Sequence, residues 1–349
     1  MLNTIKEGLF SKRALGAQSS AAAARRLLGP LALVKVVDGS ERPQGFTSLD
    51  MGFFVAELPQ WLPRFWRDGL LARAESRWGS LRFVQKRFGV DEEAIVLRCL
   101  FLASPCPPRS LRLPVPLILG LSSGDENCQV LMEDLPNVGK LELTTPGEAT
   151  VLAEHIIRLE SYLAEAEGRA AIPLFRHRVL ANTRRLRKLI RRTNDSSFDC
   201  SGLIMRVQAL ASWLEGAPMA LCHNDIGPGN MAGDNVLGPD SEIRFIDFGS
   251  VSHNVIGADL HHYAAWGLDS IEQQTFFEHL STRYAELASQ PVSLVRAGAY
   301  AYGLERSVMR WWRRKERRQF PARARAFLVK IQILLSRAEA EMLLALQES

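Results

Sequence analysis

Between Cys222 and Gly249 the chain reads CHNDIGPGNMAGDNVLGPDSEIRFIDFG. Asp225 follows His223 by two residues, Asn230 follows that Asp by five, and Asp247 ends the apolar run Ile243-Arg244-Phe245-Ile246. Phosphoryl transfer from a nucleotide needs these three groups. One carboxylate accepts or orients the proton of the attacking hydroxyl, while an amide oxygen and a second carboxylate hold the magnesium ions that neutralise the phosphates. A tight loop through Pro228-Gly229 brings Asp225 and Asn230 to one side of a cleft. The strand then delivers Asp247 to the other. The competing reading is an ordinary turn–strand–turn in which the Asp and Asn only satisfy backbone donors.

The pattern H-x-D-x-x-x-x-N followed by I-D-F-G resembles the aminoglycoside phosphotransferase/choline kinase-like family, small-molecule relatives of the protein kinases. HNDIGPGN differs from that family's usual H-G-D-x-x-P-x-N by Asn224 in place of Gly. The resemblance implies that Asp225 is the catalytic base and that Asn230 and Asp247 are magnesium ligands. It also implies that His223 orients the loop backbone, and that Asp259 supports the catalytic loop. Read without the resemblance, Asp259 is a helix N-cap for Leu260 to Trp266.

A site of this kind needs a strand carrying a Lys, then a helix carrying a Glu to pair with it. Leu81 to Phe88 reads as the strand, aromatic-rich and imperfectly alternating. Lys86 shares a face with Val84 and Phe88 at period two, and is the residue expected to hold the α- and β-phosphates. In DEEAIVLRCLFL the apolar residues Ala94, Leu97, Leu100 and Phe101 fall at helical spacing. Glu93 is the expected partner of Lys86. Its rival Glu92 reads better as a first-turn carboxylate favoured by the helix dipole.

Val115 to Gly120 and Val130 to Leu135 look like the family's two strands before the hinge, where the backbone from Glu133 to Leu135 would meet the adenine edge. No G-x-G-x-x-G precedes the Lys strand. The nearest phosphate-loop candidate is Arg67-Asp68-Gly69, ahead of a strand at Leu70 to Glu75 and a hairpin at Trp78-Gly79-Ser80; backbone amides can cradle phosphate without three glycines.

At 349 residues and a formal net charge of +5, the chain is long enough for two lobes and a large core. Five scattered cysteines include no C-x-x-C, which points away from a disulfide framework or a zinc site and towards reduced thiols in the cytoplasm. No apolar run approaches a membrane span. Residues 1 to 28 are basic with an Ala/Ser-rich centre, the composition of a transit peptide but, with its poor apolar stripe, read here as an ordinary helix.

The expected fold is α+β and two-lobed, protein-kinase-like. A leader (1–44) precedes a small nucleotide-binding lobe (45–136) and a mainly helical large lobe (137–349). Thr145-Pro146-Gly147-Glu148 reads as a capping box opening the first helix of the large lobe, which runs to Gly168. His261-His262 looks like a metal pair, but no further ligand has suitable spacing, and the two read as helix residues with one side packed.

Two basic stretches, Arg176 to Arg192 and Arg310 to Arg318, read as solvated helix faces. They would suit nucleic acid or a membrane surface, a use not favoured. They do weigh against a cationic acceptor and towards a neutral or anionic hydroxyl compound. The expected activity is ATP- and magnesium-dependent transfer to a small-molecule hydroxyl. The alternatives are a non-catalytic pseudokinase or an anionic-surface binding module. No A-P-E follows Phe248-Gly249, which argues against a protein acceptor.

Overall fold

The computed structural model describes residues 33–37, 50–57, 80–89, 92–103, 114–116, 118–123, 127–133, 135, 139, 141, 143–181, 183–193, 199–233, 237, 241–313 and 321–348. The fold is α+β in two lobes. In the small lobe, strands β1 (Leu33–Val37), β2 (Asp50–Glu57), β3 (Ser80–Gly89), β4 (Ile118–Ser123) and β5 (Asn127–Glu133) form one antiparallel sheet in the order β1-β2-β3-β5-β4. Helix α1 (Glu92–Ala103) packs against it. Glu93, Val96, Leu97 and Leu100 are buried while Glu92, Ile95 and Arg98 face out, the one-sided spacing of a helix laid on a sheet.

Several boundaries differ from expectation. The sheet begins at Leu33, inside the stretch read as a leader, because β1 pairs with β2 from Leu33↔Glu57 to Val37↔Phe53. The strand beside the Lys strand is β2, joined from Asp50↔Arg87 to Glu57↔Ser80. Residues 58–79 connect β2 to β3, and the expected phosphate loop at Gly69, strand at 70–75 and hairpin at Trp78-Gly79 lie outside the described residues. Strand β4 starts at Ile118 instead of Val115 and continues past Gly120 to Ser123. Pro114 and Pro116 explain the late start, since a proline supplies no N–H to a ladder. Strand β5 begins at Asn127, three residues early, and ends at Glu133.

The large lobe opens on α2 (Pro146–Ala170). Its capping box is complete. Thr145 Oγ1 accepts from Glu148 N at 3.3 Å, and the Glu148 carboxylate accepts from Thr144 N and Thr145 N at 2.9 Å each. Those bonds hold the Glu148 pKa below its ordinary value even though burial pushes it up. Helices α3 (Arg184–Thr193), α4 (Cys200–Leu214), α5 (His261–Trp266), α6 (Ile271–Ala288), α7 (Val292–Arg313) and α8 (Pro321–Glu348) complete the lobe among the described residues. α2 packs on α6, and α7 lies along α8.

Two short ladders carry the loops of interest. β6 (Met219–Cys222) pairs with β9 (Ser252–Val255), and β7 (Met231–Ala232) pairs with β8 (Arg244–Phe245). β8 is shorter than the four-residue strand expected at 243–246. Backbone bonds from Phe245 N to Pro114 O (2.8 Å) and from Gly139 N to Met231 O (3.0 Å) tie these ladders to the segments leading from the small lobe.

The turn after β9 sits hard against α7, and two glycines allow it. A methyl group at Gly257, where φ is 83°, would fall 2.2 Å from Val295 O; one at Gly298 would fall 2.1 Å from Ile256 O. No side chain fits at either position.

Candidate active site

Lys86 on β3 and Glu93 on α1 meet at the sheet–helix junction, with Lys86 Nζ donating to Glu93 Oε1 at 2.6 Å. Both are nearly sealed from solvent, at 8% and 3% exposure. A charge this deep needs a partner, and each supplies the other's. The pair also reaches the large lobe: a methyl group placed on Gly249 would touch Glu93 Oε2 at 3.8 Å and Asp247 Oδ1 at 3.6 Å. Glu93 and Asp247 therefore flank the same glycine. Asp247 itself is exposed and left-handed, with φ 66°.

The loop after β6 is held from beneath. Asp259 accepts from His223 N at 3.0 Å and Asn224 N at 2.6 Å. It does not cap the helix that follows, because α5 starts at His261 with Leu260 as its N-cap residue and no side-chain cap. His223 is fully buried, and burial lowers its pKa, leaving a neutral ring whose Nε2 donates to Ile246 O at 3.0 Å. That bond joins the loop to the residue preceding Asp247. Its Nδ1, the deprotonated nitrogen, has no hydrogen-bond partner.

Asn224 takes φ 64°, a conformation open to Gly at no cost and to Asn more readily than to other residues. The family pattern's Gly and this chain's Asn answer the same backbone demand. Asn224 adds a buried amide: Nδ2 donates to Ser252 Oγ (2.8 Å) and Ser250 O (2.9 Å), and Oδ1 accepts from Asn254 Nδ2 (2.5 Å).

On the far side of the loop, Asn230 Nδ2 donates to Asp225 O at 2.9 Å, and Ile246 N donates to Asn230 O at 3.0 Å. The short 3-10 turn Pro228–Asn230 thereby fixes Asn230 beside the start of the Asp247 turn. With its nitrogen committed to the Asp225 carbonyl, the Asn230 amide has its oxygen left to offer. Amide oxygen and carboxylate are hard donors of the kind magnesium takes, and Asn230 with Asp247 fits that ion.

Beneath the loop lies a closed acidic cluster. Glu160 on α2 accepts from Tyr284 Oη at 2.8 and 2.9 Å and hydrogen-bonds Asp259, with Cys222 Sγ 3.8 Å away. Burial raises the Glu160 pKa well above a carboxyl's usual value, with Asp259 adding to it, and burial raises Asp259 to about 7. Glu160 carries a proton and Asp259 accepts. The donor atoms of Glu160, Cys222 and Asp259 lie within 4.8 Å of one another, but a shared proton already settles the charge there.

Asp225, 30% exposed, is paired across the cleft: Arg306 Nη2 on α7 lies 2.7 Å from Asp225 Oδ1. One turn further along α7, Arg310 Nη2 donates to His262 Nδ1 at 3.1 Å. The His262 ring lies over Gly227, where an added methyl would meet it at 3.2 Å. Burial and Arg310 push His262 down to about 4. The two histidines do not make a metal pair. His261 is buried with Nδ1 on Ala258 O at 3.0 Å, and its ring stands at 82° to that of His262. Sequence reading missed Arg306, since it lies 81 residues from Asp225 on a helix without a motif.

Glu133 closes β5 opposite Phe83, and Leu135 beyond it is buried at 5% exposure. A cavity of about 240 Å³ lined by Arg176, Met219, Val255 and their neighbours contains none of the predicted site residues.

No known protein-family model matches the chain, and no curated protein matches it. Solved structures resemble it in shape. A thermostable mutant of aminoglycoside phosphotransferase APH(4)-Ia, in ternary complex with ADP and hygromycin B, aligns at 13% identity over 92% of this chain and 99% of that one, with a TM-score of 0.48. Macrolide 2'-phosphotransferase MphH from Brachybacterium faecium, an apoenzyme, aligns at 14% identity over 83% and 91%, with a TM-score of 0.47. Choline kinase from Cryptosporidium parvum Iowa II aligns at 13% identity over 91% of each chain, with a TM-score of 0.45. The resemblance is to the aminoglycoside phosphotransferase/choline kinase-like group and is one of fold; no residue role is carried over from these proteins.

Proposed function

We propose that the chain transfers the γ-phosphoryl group of ATP to a hydroxyl of a small molecule. One observation carries the reading: a buried Lys86–Glu93 pair abuts the turn bearing Asp247, while Asp225 and Asn230 are hydrogen-bonded into the same strand end. Lys86 positions the nucleotide's phosphates and Glu93 holds Lys86 in place. The backbone from Glu133 to Leu135 meets the adenine, and Gly69 remains the phosphate-loop candidate of the sequence. Asn230 and Asp247 hold magnesium, which when bound neutralises phosphate charge. Asp225 orients the acceptor hydroxyl and takes its proton.

The cysteines with described side chains, Cys99 and Cys222, are buried free thiols, in keeping with the cytoplasmic setting we propose. No helix among the described residues is long and apolar enough to cross a membrane.

The test is thermal melting with and without magnesium-ATP, followed by ADP release in the presence of candidate acceptors. Ligand at about a hundred times its dissociation constant stabilises the native state by about 2.7 kcal/mol. The shift should vanish in Asp247→Ala. Asp225→Asn should keep it while losing about two to four powers of ten in turnover. A wild type that gives no shift would sink the proposal.

A further inference from the structure

Asp225 is anchored at one carboxylate oxygen and open at the other. Oδ1 accepts from Arg306 Nη2 at 2.7 Å, and Oδ2 makes no bond to any described residue. The other tie on this residue is to its backbone, where the carbonyl accepts from Asn230 Nδ2. Backbone bonds fix where the residue starts but not where its carboxylate points, because the last torsion of an aspartate is broad. The guanidinium takes one oxygen and thereby aims the second.

Arg306 is built into the fold for such a task. It is only 15% exposed, on a stretch of α7 where Leu304 and Val308 are buried and α8 packs alongside. Asp225 is its one ion-pair partner among the described residues. The adjacent acid does not compete, since Glu305 is turned to His177 Nε2 at 2.8 Å and to the Leu180 N–H. Nor does an imidazole replace the guanidinium. Burial lowers the pKa of both His261 and His262, the arginine charges add to that, and both rings are neutral.

Aim is what phosphoryl transfer asks of this carboxylate. As the acceptor oxygen bonds the γ-phosphorus, the bond to the ADP oxygen breaks and the hydroxyl proton passes to Asp225. The transition state is largely dissociative, so the hydroxyl has to be directed before it is deprotonated. The form of the contact suits this. A two-pronged guanidinium–carboxylate pair would occupy both oxygens, whereas the single bond here leaves Oδ2 for the hydroxyl. Resting on the phosphotransfer reading, we infer that Arg306 is the positioning residue of the site, holding Asp225 Oδ1 so that Oδ2 faces the acceptor hydroxyl.

Magnesium-ATP is the probe, with water and then the same candidate acceptors, and ADP release and melting temperature are the readouts. Arg306→Ala should release ADP about a hundredfold more slowly, the scale of an ångström's misplacement. Its KM for ATP and its magnesium-ATP melting shift should stay as in wild type, because the arginine acts on Asp225 alone. Arg306→Lys keeps the charge and one donor and should recover most of kcat. Guanidinium at sub-denaturing concentration should speed Arg306→Ala several-fold over a sodium chloride control at matched ionic strength. Asp225→Asn/Arg306→Ala should be no slower than Asp225→Asn, since the effect runs through the carboxylate.

Unchanged release in Arg306→Ala overturns the role. So does faster release, which would make the contact a clasp that the acceptor has to open. A slow variant that neither lysine nor guanidinium restores, or additive loss in the double variant, overturns it too and leaves Arg306 a part of the fold only. Should Arg306→Ala fail to fold, Arg306→Gln takes its place in every comparison. The two proposals fail distinguishably. A wild type with no magnesium-ATP shift, or with a shift and no ADP release, removes phosphotransfer and the positioning role together; a wild type that releases ADP no faster than Arg306→Ala removes Arg306 alone.

Discussion

Replacing Asn224 tests how the loop after β6 is held. At φ 64° the backbone favours glycine, so on conformation alone Asn224→Gly should help. The buried amide argues the other way and should win. Nδ2 has two hydrogens, spent at the shortest contacts on Ser252 Oγ and Ser250 O, and Oδ1 accepts from Asn254 Nδ2. The serine hydroxyl can turn to another partner. The Ser250 carbonyl and the Asn254 amide lose one each, at about 1–3 kcal/mol apiece for buried groups. Relief of the left-handed strain returns at most about 1 kcal/mol. The net loss for Asn224→Gly is about 3 kcal/mol, roughly two powers of ten in the unfolding constant.

Asn224→Ala should lose about 1 kcal/mol more, because alanine keeps the strain and makes none of the bonds. Asn224→Asp should be worst, since a carboxylate cannot donate and would sit buried beside Asp259. Urea unfolding with unchanged m-values measures the series. A double change with Asn254→Ala should cost little more than either alone, because the two amides serve each other. An Asn224→Gly protein as stable as wild type would refute this account of the loop.

Lys86→Ala should abolish the magnesium-ATP shift and destabilise by about 3–5 kcal/mol, since it removes the bonded ammonium from a carboxylate only 3% exposed; Lys86→Ala/Glu93→Ala should recover stability without recovering the shift, and equal loss in both proteins would contradict the pairing. Asp259 is raised to about 7, so between about pH 4 and 7 the native state holds a proton the unfolded chain has released. Stability should fall as pH rises through that window, and Glu160, raised well above its ordinary value, extends the fall beyond it. Glu160→Gln, which keeps a donor towards Asp259 and removes one carboxyl, should shrink this slope in urea titrations at pH 5 to 8; an unchanged slope would place the titration elsewhere. Gly298→Ala should destabilise by about 1–3 kcal/mol through the clash with Ile256 O, read as a fall in urea midpoint, and a neutral result would mean α7 can slide.

The parts of the fold that were legible in the sequence are those where chemistry and local geometry coincide. The capping box at Thr145, the Lys86 strand and the helix bearing Glu93 each combine residue type with a period or a turn signal. The first two strands were missed for a physical reason. Leu33–Val37 is a short apolar run broken by Lys35 and Asp50–Glu57 is apolar through its middle without alternation, so neither states its partner; the pairing of β1 with β2 and of β2 with the Lys strand is a long-range fact. The start of β4 was misread because Val115 looks strand-like while its flanking prolines forbid a ladder bond. Arg306 was illegible: a helix face records that a residue is basic, not what it meets 81 residues away.

The close seat of α7 on the turn after β9 can be thought of as a gauge. From Gly298 to Arg306 is eight residues, about 12 Å of rigid helix. A 2.7 Å contact at the far end tolerates little error in where the helix begins. A methyl group at Gly257 or Gly298 would push α7 outward by an ångström or so, and Arg306 would no longer reach Asp225. The tolerance of the Asp225–Arg306 contact is thus set by atoms that two residues do not have, at a distance from either partner.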